Sequence, residues 1–245
     1  MILTAHQPGY LPWLGLMHKI AISDQFVYFD RVQYVAKDWI SRNQIKSPTG
    51  PLLLTVPVLT NGHRDKTIAD MQINNSVPWR RKHWRSIVSG YRSARYFSAH
   101  ADFLEHTYSQ DWASLSELNL HILKWMLATL GISTPVVKME DLNLSGAKSE
   151  LVLNMCEELG ADIYVFGAMG RDYADVAAFQ AAGVLPVFQS YNHPCYHQQH
   201  GDFLPNMSSL DLILNEGPAS LEIIMAGNLD RVGISDLAQA TRASA

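Results

Sequence analysis

Cysteine is scarce. The 245 residues hold two, Cys156 and Cys195, and neither stands in a C-x-x-C. No disulfide framework is expected, and a reducing cytoplasm is the compartment that fits. The first residues carry no basic segment leading into a long apolar one, so no secretory leader is read. No apolar run reaches the ~18 residues that a membrane span needs. A large excess of charge is missing too. Lys and Arg number 19 against 23 Asp and Glu, for a net charge of −4. That balance disfavours broad nucleic-acid binding and leaves room for a local basic site. No internal repeat and no low-complexity tract appears.

What is present is an ordinary core-forming composition: 47% hydrophobic and 17% charged residues. A chain of this length buries roughly 70–75% of its unfolded surface and needs no staples. Apolar runs at 1–5, 25–29, 51–58, 135–139, 162–167 and 185–189 read as strands. Helical spacing marks 11–23, 79–90, 94–108, 115–130, 149–159, 175–182, 209–215 and 220–226. Gly131, Gly160 and Gly183 stand where three of these helices should stop. Val32–Pro48 reads as a polar, aromatic loop. Strands alternating with helices predict an α/β fold, a mainly parallel Rossmann-like sheet with a helical insertion. Residues 1–230 are expected to form one such domain, the insertion covering about 76–131, and 231–245 a flexible tail.

In parallel sheets ligands bind beyond the carboxyl ends of strands. Three predicted ends carry polar residues: His6-Gln7, Gly167-Ala168 and Gln189-Ser190-Tyr191. The segment HQPGYLP after the first strand is therefore expected to be a strand-to-helix turn at the ligand edge. His6 offers a base or an anion contact, and Gly9 lets backbone approach a ligand. The long loop from Phe29 to Gly50 collects Lys37, Arg42, Asn43 and Lys46. Such loops are costly unless they bind something, and Arg42 matches a phosphate or carboxylate bidentately. Gly167, opening GAMGRDY, permits close backbone contact, with Tyr173 nearby. That turn has neither G-x-G-x-x-G nor G-x-x-x-x-G-K-[ST], so neither a dinucleotide fingerprint nor a P-loop is supported.

Two further clusters invite sharper readings. Arg80, Arg81, Lys82, Arg85, Arg92 and Arg95 are interleaved with Trp79, Trp84 and Tyr91 on one helix. They fit either a solvated face or a phosphate backbone. His193, Cys195, His197 and His200 follow H-x-C-x-H-x-x-H, which matches no common closed zinc site. No metal and no cofactor is expected. His193, Tyr196 and Gln198 are instead taken as pocket residues, and Cys195 lacks a partner for thiol chemistry.

The stretches HQPGYLPWLGLMHKIAISDQFVYFDRVQY, RNQIKSPTGPLLLTVPV, YVFGAMGRDY, HPCYHQ and FLPNMSSLDLILNEG together resemble the WbqC-like protein family. The likeness runs from about Met1 to about Gly227. Its matching polar positions include His6, Gln7, Tyr10, Lys19, Asp30, Arg42, Asn43, Tyr173, His193, Tyr196, Gln198 and Asp211. Phe166 stands where the family usually has serine, which removes a hydroxyl there. The family's members lie in gene clusters for bacterial O-antigen and other surface polysaccharides. The resemblance therefore implies a cytoplasmic enzyme of polysaccharide biosynthesis, with glycyl or aminoacyl transfer to an amino sugar as one suggested activity.

Such a reaction needs a base, for which His6 or His193 could serve, and oxyanion donors such as Gln7, Asn43 or backbone N–H groups. Arg42 and Lys46 could hold a donor's phosphate, and Tyr10, Lys37, Gly167, Tyr173, Tyr196 and Gln198 complete the expected binding set. The expected partners are a sugar or nucleotide-sugar acceptor and an aminoacyl donor, a tRNA among the options. Two other classes stay open. A nucleotidyl-transfer enzyme would share the strand–His–turn–helix start, although Gln7-Pro8-Gly9-Tyr10 lacks the second histidine of an H-x-G-H motif. A non-catalytic binding protein of a glycan pathway would bind without turnover.

Overall fold

In chain order the elements are β1 (Ile2–His6), α1 (Leu14–Ala21), β2 (Gln25–Tyr28), β3 (Arg42–Ser47) and β4 (Gly50–Thr55). Three helices follow, α2 (Trp79–Tyr91), α3 (Phe97–Ser109) and α4 (Leu115–Leu130). Then come β5 (Val136–Lys138), α5 (Lys148–Leu159), β6 (Ile163–Phe166), α6 (Val176–Ala181) and β7 (Leu185–Phe188). The chain ends with α7 (Ser209–Glu216), α8 (Ser220–Met225) and α9 (Arg231–Ala243). These assignments come from a computed structural model that describes residues 1–243, with side chains through Ala240.

Five strands form one sheet in the order β5-β2-β1-β6-β7, and every neighbouring pair is parallel. This is the expected Rossmann-like α/β architecture. The side-chain period of two divides the sheet's faces. Leu3, Ala5, Val27, Tyr164 and Phe166 pack under α5 and α6, with Leu151, Met155, Cys156 and Phe179. Phe26 and Tyr28 face the other way, into a larger core shared by α1, α2–α4, α7 and the β3–β4 hairpin. The connections out of β1 explain the site's position. The chain leaves β1 for β2 on one side and returns as β6 on the other, so the strand order reverses between β1 and β6.

Local chemistry fixes the helix ends. Ser114 caps α4 by accepting a hydrogen bond from the Glu117 N–H at 3.2 Å, the S-x-x-E arrangement that satisfies an otherwise orphan donor. Gly131 ends the same helix in the left-handed region, at φ 72°, where a side chain would be strained. Gly90 has a different reason. A Cβ there would sit 2.6 Å from the Lys46 carbonyl oxygen, so only glycine lets α2 lie against β3.

Two expectations need correction. Six residues near the end of the expected Val32–Pro48 loop, Arg42–Ser47, form β3 and pair antiparallel with Gly50–Thr55. Five of those six residues are polar, and the apolar alternation that marks a strand is absent, because Lys46 itself is buried. The segment from 231 was expected to be a flexible tail, yet 231–243 is helical. Ile234 is fully buried among Ile2, Ile22, Ile163, Val165 and Val187, and Arg231 pairs with Asp24. One apolar anchor in a polar segment is too little periodicity to predict a docked helix. The expectation for 244–245 lies outside the described residues.

Replacing Ile234 by alanine removes that anchor. The expected cost is about 2–5 kcal/mol, or a fall in Tm of about 5–15 °C for a chain of this length. Differential scanning calorimetry measures it directly. An unchanged Tm would mean that α9 does not hold the sheet's edge.

Candidate functional site

Strand β1 pairs with β2 from Leu3↔Gln25 through His6↔Tyr28, to its carboxyl end. With β6 it pairs only at Ile2↔Ile163 and Leu3↔Tyr164. The two strands therefore part at their carboxyl ends, at the point where the strand order reverses. Doubly wound sheets place ligands at such a parting. Backbone carbonyls alternate along β1. Those of Ile2 and His6 accept from Asp24 and Phe29 on the β2 side, and that of Met1 accepts from Asp162 and Ile163 on the β6 side. The Ala5 carbonyl thus faces β6, beyond the last registered pair. Its partner is Lys19, whose Nζ donates to it at 3.0 Å.

Helix α1 explains why a lysine is there. Seven of its eight residues are buried, Leu14 through Ile20, and Lys19 itself is 3% exposed. Its side chain leans toward the helix N-terminus, as helical side chains do, which here is toward the sheet's carboxyl edge. No carboxylate pairs with it among the described residues. Burial pushes its pKa down to about 7, so about half of the amine is uncharged near neutral pH. His6 is half-buried beside it. Burial first, and the Lys19 charge second, lower the His6 pKa to about 4. The imidazole is neutral, with Nδ1 donating to the Gln7 carbonyl at 2.7 Å, which leaves the lone pair on Nε2.

The turn from Gln7 to Trp13 is held from outside. Tyr10 N–H donates to the Trp39 carbonyl at 3.1 Å and Ser209 N–H to the Pro12 carbonyl at 2.9 Å. Asn43 Nδ2 donates to the Leu11 carbonyl at 2.6 Å. Leu11 adopts φ 47°, a costly conformation for a branched residue, kept only where the surroundings enforce it. The Tyr10 ring is fully buried. Its hydroxyl meets His83 Nδ1 at 2.8 Å and the Tyr108 hydroxyl at 2.6 Å. Burial lowers the His83 pKa to about 4, offset in part by its bond to the Thr55 backbone.

The expected binding residues divide into those at this edge and those inside the fold. Half-buried Gln7 lies on the turn, and Arg42 flanks it with its guanidinium 5.7 Å from the Trp39 ring centroid. Arg42 Nε is buried without a partner. Gly167 lies at the end of β6, where an added Cβ would meet nothing. Tyr173 is 47% exposed against Phe166, and Lys37 is exposed in the left-handed region at φ 62°. Tyr10 and Asn43 hold the turn rather than face a ligand. Lys46, Tyr196 and Gln198 form a separate buried network. Lys46 Nζ donates to Gln198 Oε1 at 3.2 Å, and Asp211 accepts from the Tyr91 and Tyr196 hydroxyls at 2.8 and 2.9 Å. His193 has both ring nitrogens engaged, at 2.9 Å from the Pro194 carbonyl and 3.2 Å from the Asn206 N–H. No hydrogen bond or ring contact joins it to His6 among the described residues.

Two site residues carried no assigned role in the sequence, Lys19 and Asn119. Asn119 is fully buried on α4. Its Nδ2 donates to the Ile40 carbonyl at 2.8 Å, while its Oδ1 has no partner. An unsatisfied buried acceptor costs about 1–3 kcal/mol. The signal was available in both cases: each polar residue occupies a position that helical spacing assigns to the apolar face.

Elsewhere, a shallow cavity of about 240 Å³ opens at the opposite, amino-terminal edge of the sheet. Its polar groups bond each other. Arg231 and Thr134 both donate to the Ser23 carbonyl, at 3.2 and 3.3 Å, and Arg231 also pairs with Asp24. Among the described residues no His, Cys, Asp and Glu side chains gather to hold a metal ion, and no helix is long and apolar enough to cross a membrane. The basic face of α2 points outward. Arg80 pairs with Asp111, whereas Arg81, Lys82 and Arg85 on α2, and Arg92 and Arg95 just after it, are exposed.

The two neutral histidines set an acid limit. Each has a folded pKa near 4 against an unfolded value near 6.5, so the unfolded chain binds more protons between those values. Their contribution is complete above pH 6.5 and is lost as pH falls toward 4. Proton NMR should find His6 and His83 titrating near pH 4, with Tm falling over the same window. A His6 resonance titrating near 6.5 would place its ring in open solvent.

Comparison with known proteins agrees with the sequence resemblance. The model of the WbqC-like protein family matches residues 7–223. The chain is 34% identical over 213 residues to the uncharacterized protein Rv1507c of Mycobacterium tuberculosis, covering 86% of this chain and 92% of that one. No solved structure matches it. With its motifs spread over nine-tenths of the sequence, from the turn after β1 to α8, the chain belongs to the WbqC-like protein family.

Proposed function

We propose that this protein is a transferase of bacterial surface-polysaccharide biosynthesis that moves an acyl or aminoacyl group onto the amine of a sugar. The observation that carries the proposal is that Lys19 Nζ, bound to the Ala5 carbonyl, lies next to His6 where β1 and β6 part. An amine acceptor must lose a proton as it attacks. The best base has a pKa near the working pH, and Lys19, at about 7, meets that condition better than His6.

The acceptor nitrogen bonds the donor's acyl carbon, and the bond to the leaving group breaks with its electron pair. The proton on nitrogen passes to Lys19 Nζ. His6 Nε2 accepts a hydrogen bond from the incoming amine and orients it. The Gln7 amide, which makes no side-chain hydrogen bond among the described residues, donates to the developing oxyanion. Arg42 lies on the outer wall of the same turn, where it fits an anionic group of the donor. The switch-point position favours a nucleotide-linked form of the acceptor sugar. The exposed cations of α2 supply a surface for the phosphates of a tRNA-borne donor.

Purified protein incubated with amino sugars, their nucleotide-linked forms and glycyl donors, including glycyl-tRNA, should yield the sugar amide by mass spectrometry. Lys19→Met should lower the rate by about 10²-fold or more, and His6→Ala should do the same. Absence of product with every donor and acceptor pair would overturn the transferase reading.

A further inference from the structure

His6 has two sides. Lys19 occupies the β6 side. On the β2 side, His6↔Tyr28 register places the Tyr28 ring beside it on the same face of the sheet. There, beneath Gln7-Pro8-Gly9, lies a small void walled by Phe26, Tyr28 and Asn119. It is too tight to admit a water molecule, and Asn119, which lines it, keeps an Oδ1 without a partner. The amide cannot turn over to relieve this. The Ile40 carbonyl needs the Nδ2 donor, so the acceptor end stays directed away from that bond.

The roof of this void is weakly tied. His6 is anchored through the Phe29 N–H and Tyr10 through the Trp39 carbonyl. Among the described residues, the only hydrogen bond between them is the one from His6 Nδ1 to the Gln7 carbonyl. The strained Leu11, at φ 47°, follows directly. No group in the walls is charged, and the Tyr28 hydroxyl is already committed to the Ser116 carbonyl at 2.7 Å.

We propose that this void is the closed form of the acceptor pocket, and that an uncharged sugar ring enters it when Gln7–Gly9 lifts, donating a hydroxyl or N–H to Asn119 Oδ1. The identity of the occupant as the acceptor rests on the transferase reading above; the pocket itself does not. An unpartnered acceptor selects a donor group, and apolar walls select against charge.

The test is binding, not turnover. N-acetylglucosamine and its uridine diphosphate form are titrated into the full chain by calorimetry, with hydrogen exchange read over residues 7–12 and 39–43. Binding with altered exchange in the 7–12 turn is expected. Asn119→Ala should weaken it at least 10-fold. Leu123→Phe, which fills the void and leaves Asn119 in place, should abolish it while the protein stays folded by circular dichroism. No binding of either sugar, or binding unchanged in Leu123→Phe, overturns the pocket. Binding that is lost in Leu123→Phe, in a protein that transfers no acyl group, keeps the pocket and overturns the reaction.

Discussion

The contact between Lys19 Nζ and the Ala5 carbonyl governs the arrangement of the ligand edge. A parallel strand in the middle of a sheet must satisfy carbonyls on both sides. Strand β1 does so with β2 throughout and with β6 only at its start. Where β6 departs, a buried carbonyl would be left without a donor. Lys19 supplies that donor from α1, and the strands can stay apart. The same burial that makes the bond necessary removes water from the ammonium. Its charge is therefore weakly held, and whatever fraction of charge remains disfavours a proton on His6. One strand divergence thus produces a neutral imidazole beside a lysine that exchanges its proton near pH 7.

The turn above that contact depends on polar groups placed deep in the larger core. Tyr10, His83 and Tyr108 form one chain of hydrogen bonds. Lys46, Gln198, Tyr91, Tyr196 and Asp211 form another, linking β3, α2, α7 and the segment before α7. Buried charges are poor sources of net stability, but removing one member of a satisfied pair is strongly destabilising. Desolvation raises the Asp211 pKa, and the two tyrosine hydroxyls hold it back. Such networks fix relative position more than they add stability. Here they register the hairpin against α7, and Asn43 and Ser209 of those two elements carry that register to the turn.

Most of the sheet and the helices were legible because burial leaves a periodic trace. Leu3 and Ala5 against Ile2, or Leu115, Leu118, Ile122 and Met126 on α4, announce their faces in one dimension. The hairpin strand β3 left no such trace, since five of its six residues are polar and four are buried. The same confusion displaced part of the expected site. A polar residue in a sequence shows that a partner is needed, not whether that partner is ligand or protein. His6 and Gln7 were placed at the edge by the strand end that precedes them. Tyr10, Asn43, Lys46 and Gln198 were assigned to a ligand, yet long-range partners inside the fold take up their hydrogen bonds. Lys19 and Asn119 erred in the other direction, hidden within helices whose apolar neighbours mask them.

These misplacements share a criterion that the structure supplies. A polar group whose bonds are complete is architecture. A buried group with capacity left over has been kept at a cost that folding alone does not repay. By that measure the residues that matter at the β1 edge are few. Lys19 gives one of its three N–H donors to Ala5, Asn119 retains a bare Oδ1, and Arg42 retains a bare Nε. They lie on different elements, α1, α4 and β3, around one turn. Random imperfections of packing would scatter over the molecule. Ser209 and Asn215, the other residues with unpartnered buried atoms, both lie on α7, and Ser209 itself bonds the same turn through its backbone. Lys19, Asn119 and Arg42 thus leave unused hydrogen-bonding capacity on three elements around the segment His6–Pro12, capacity that a ligand at this edge would complete.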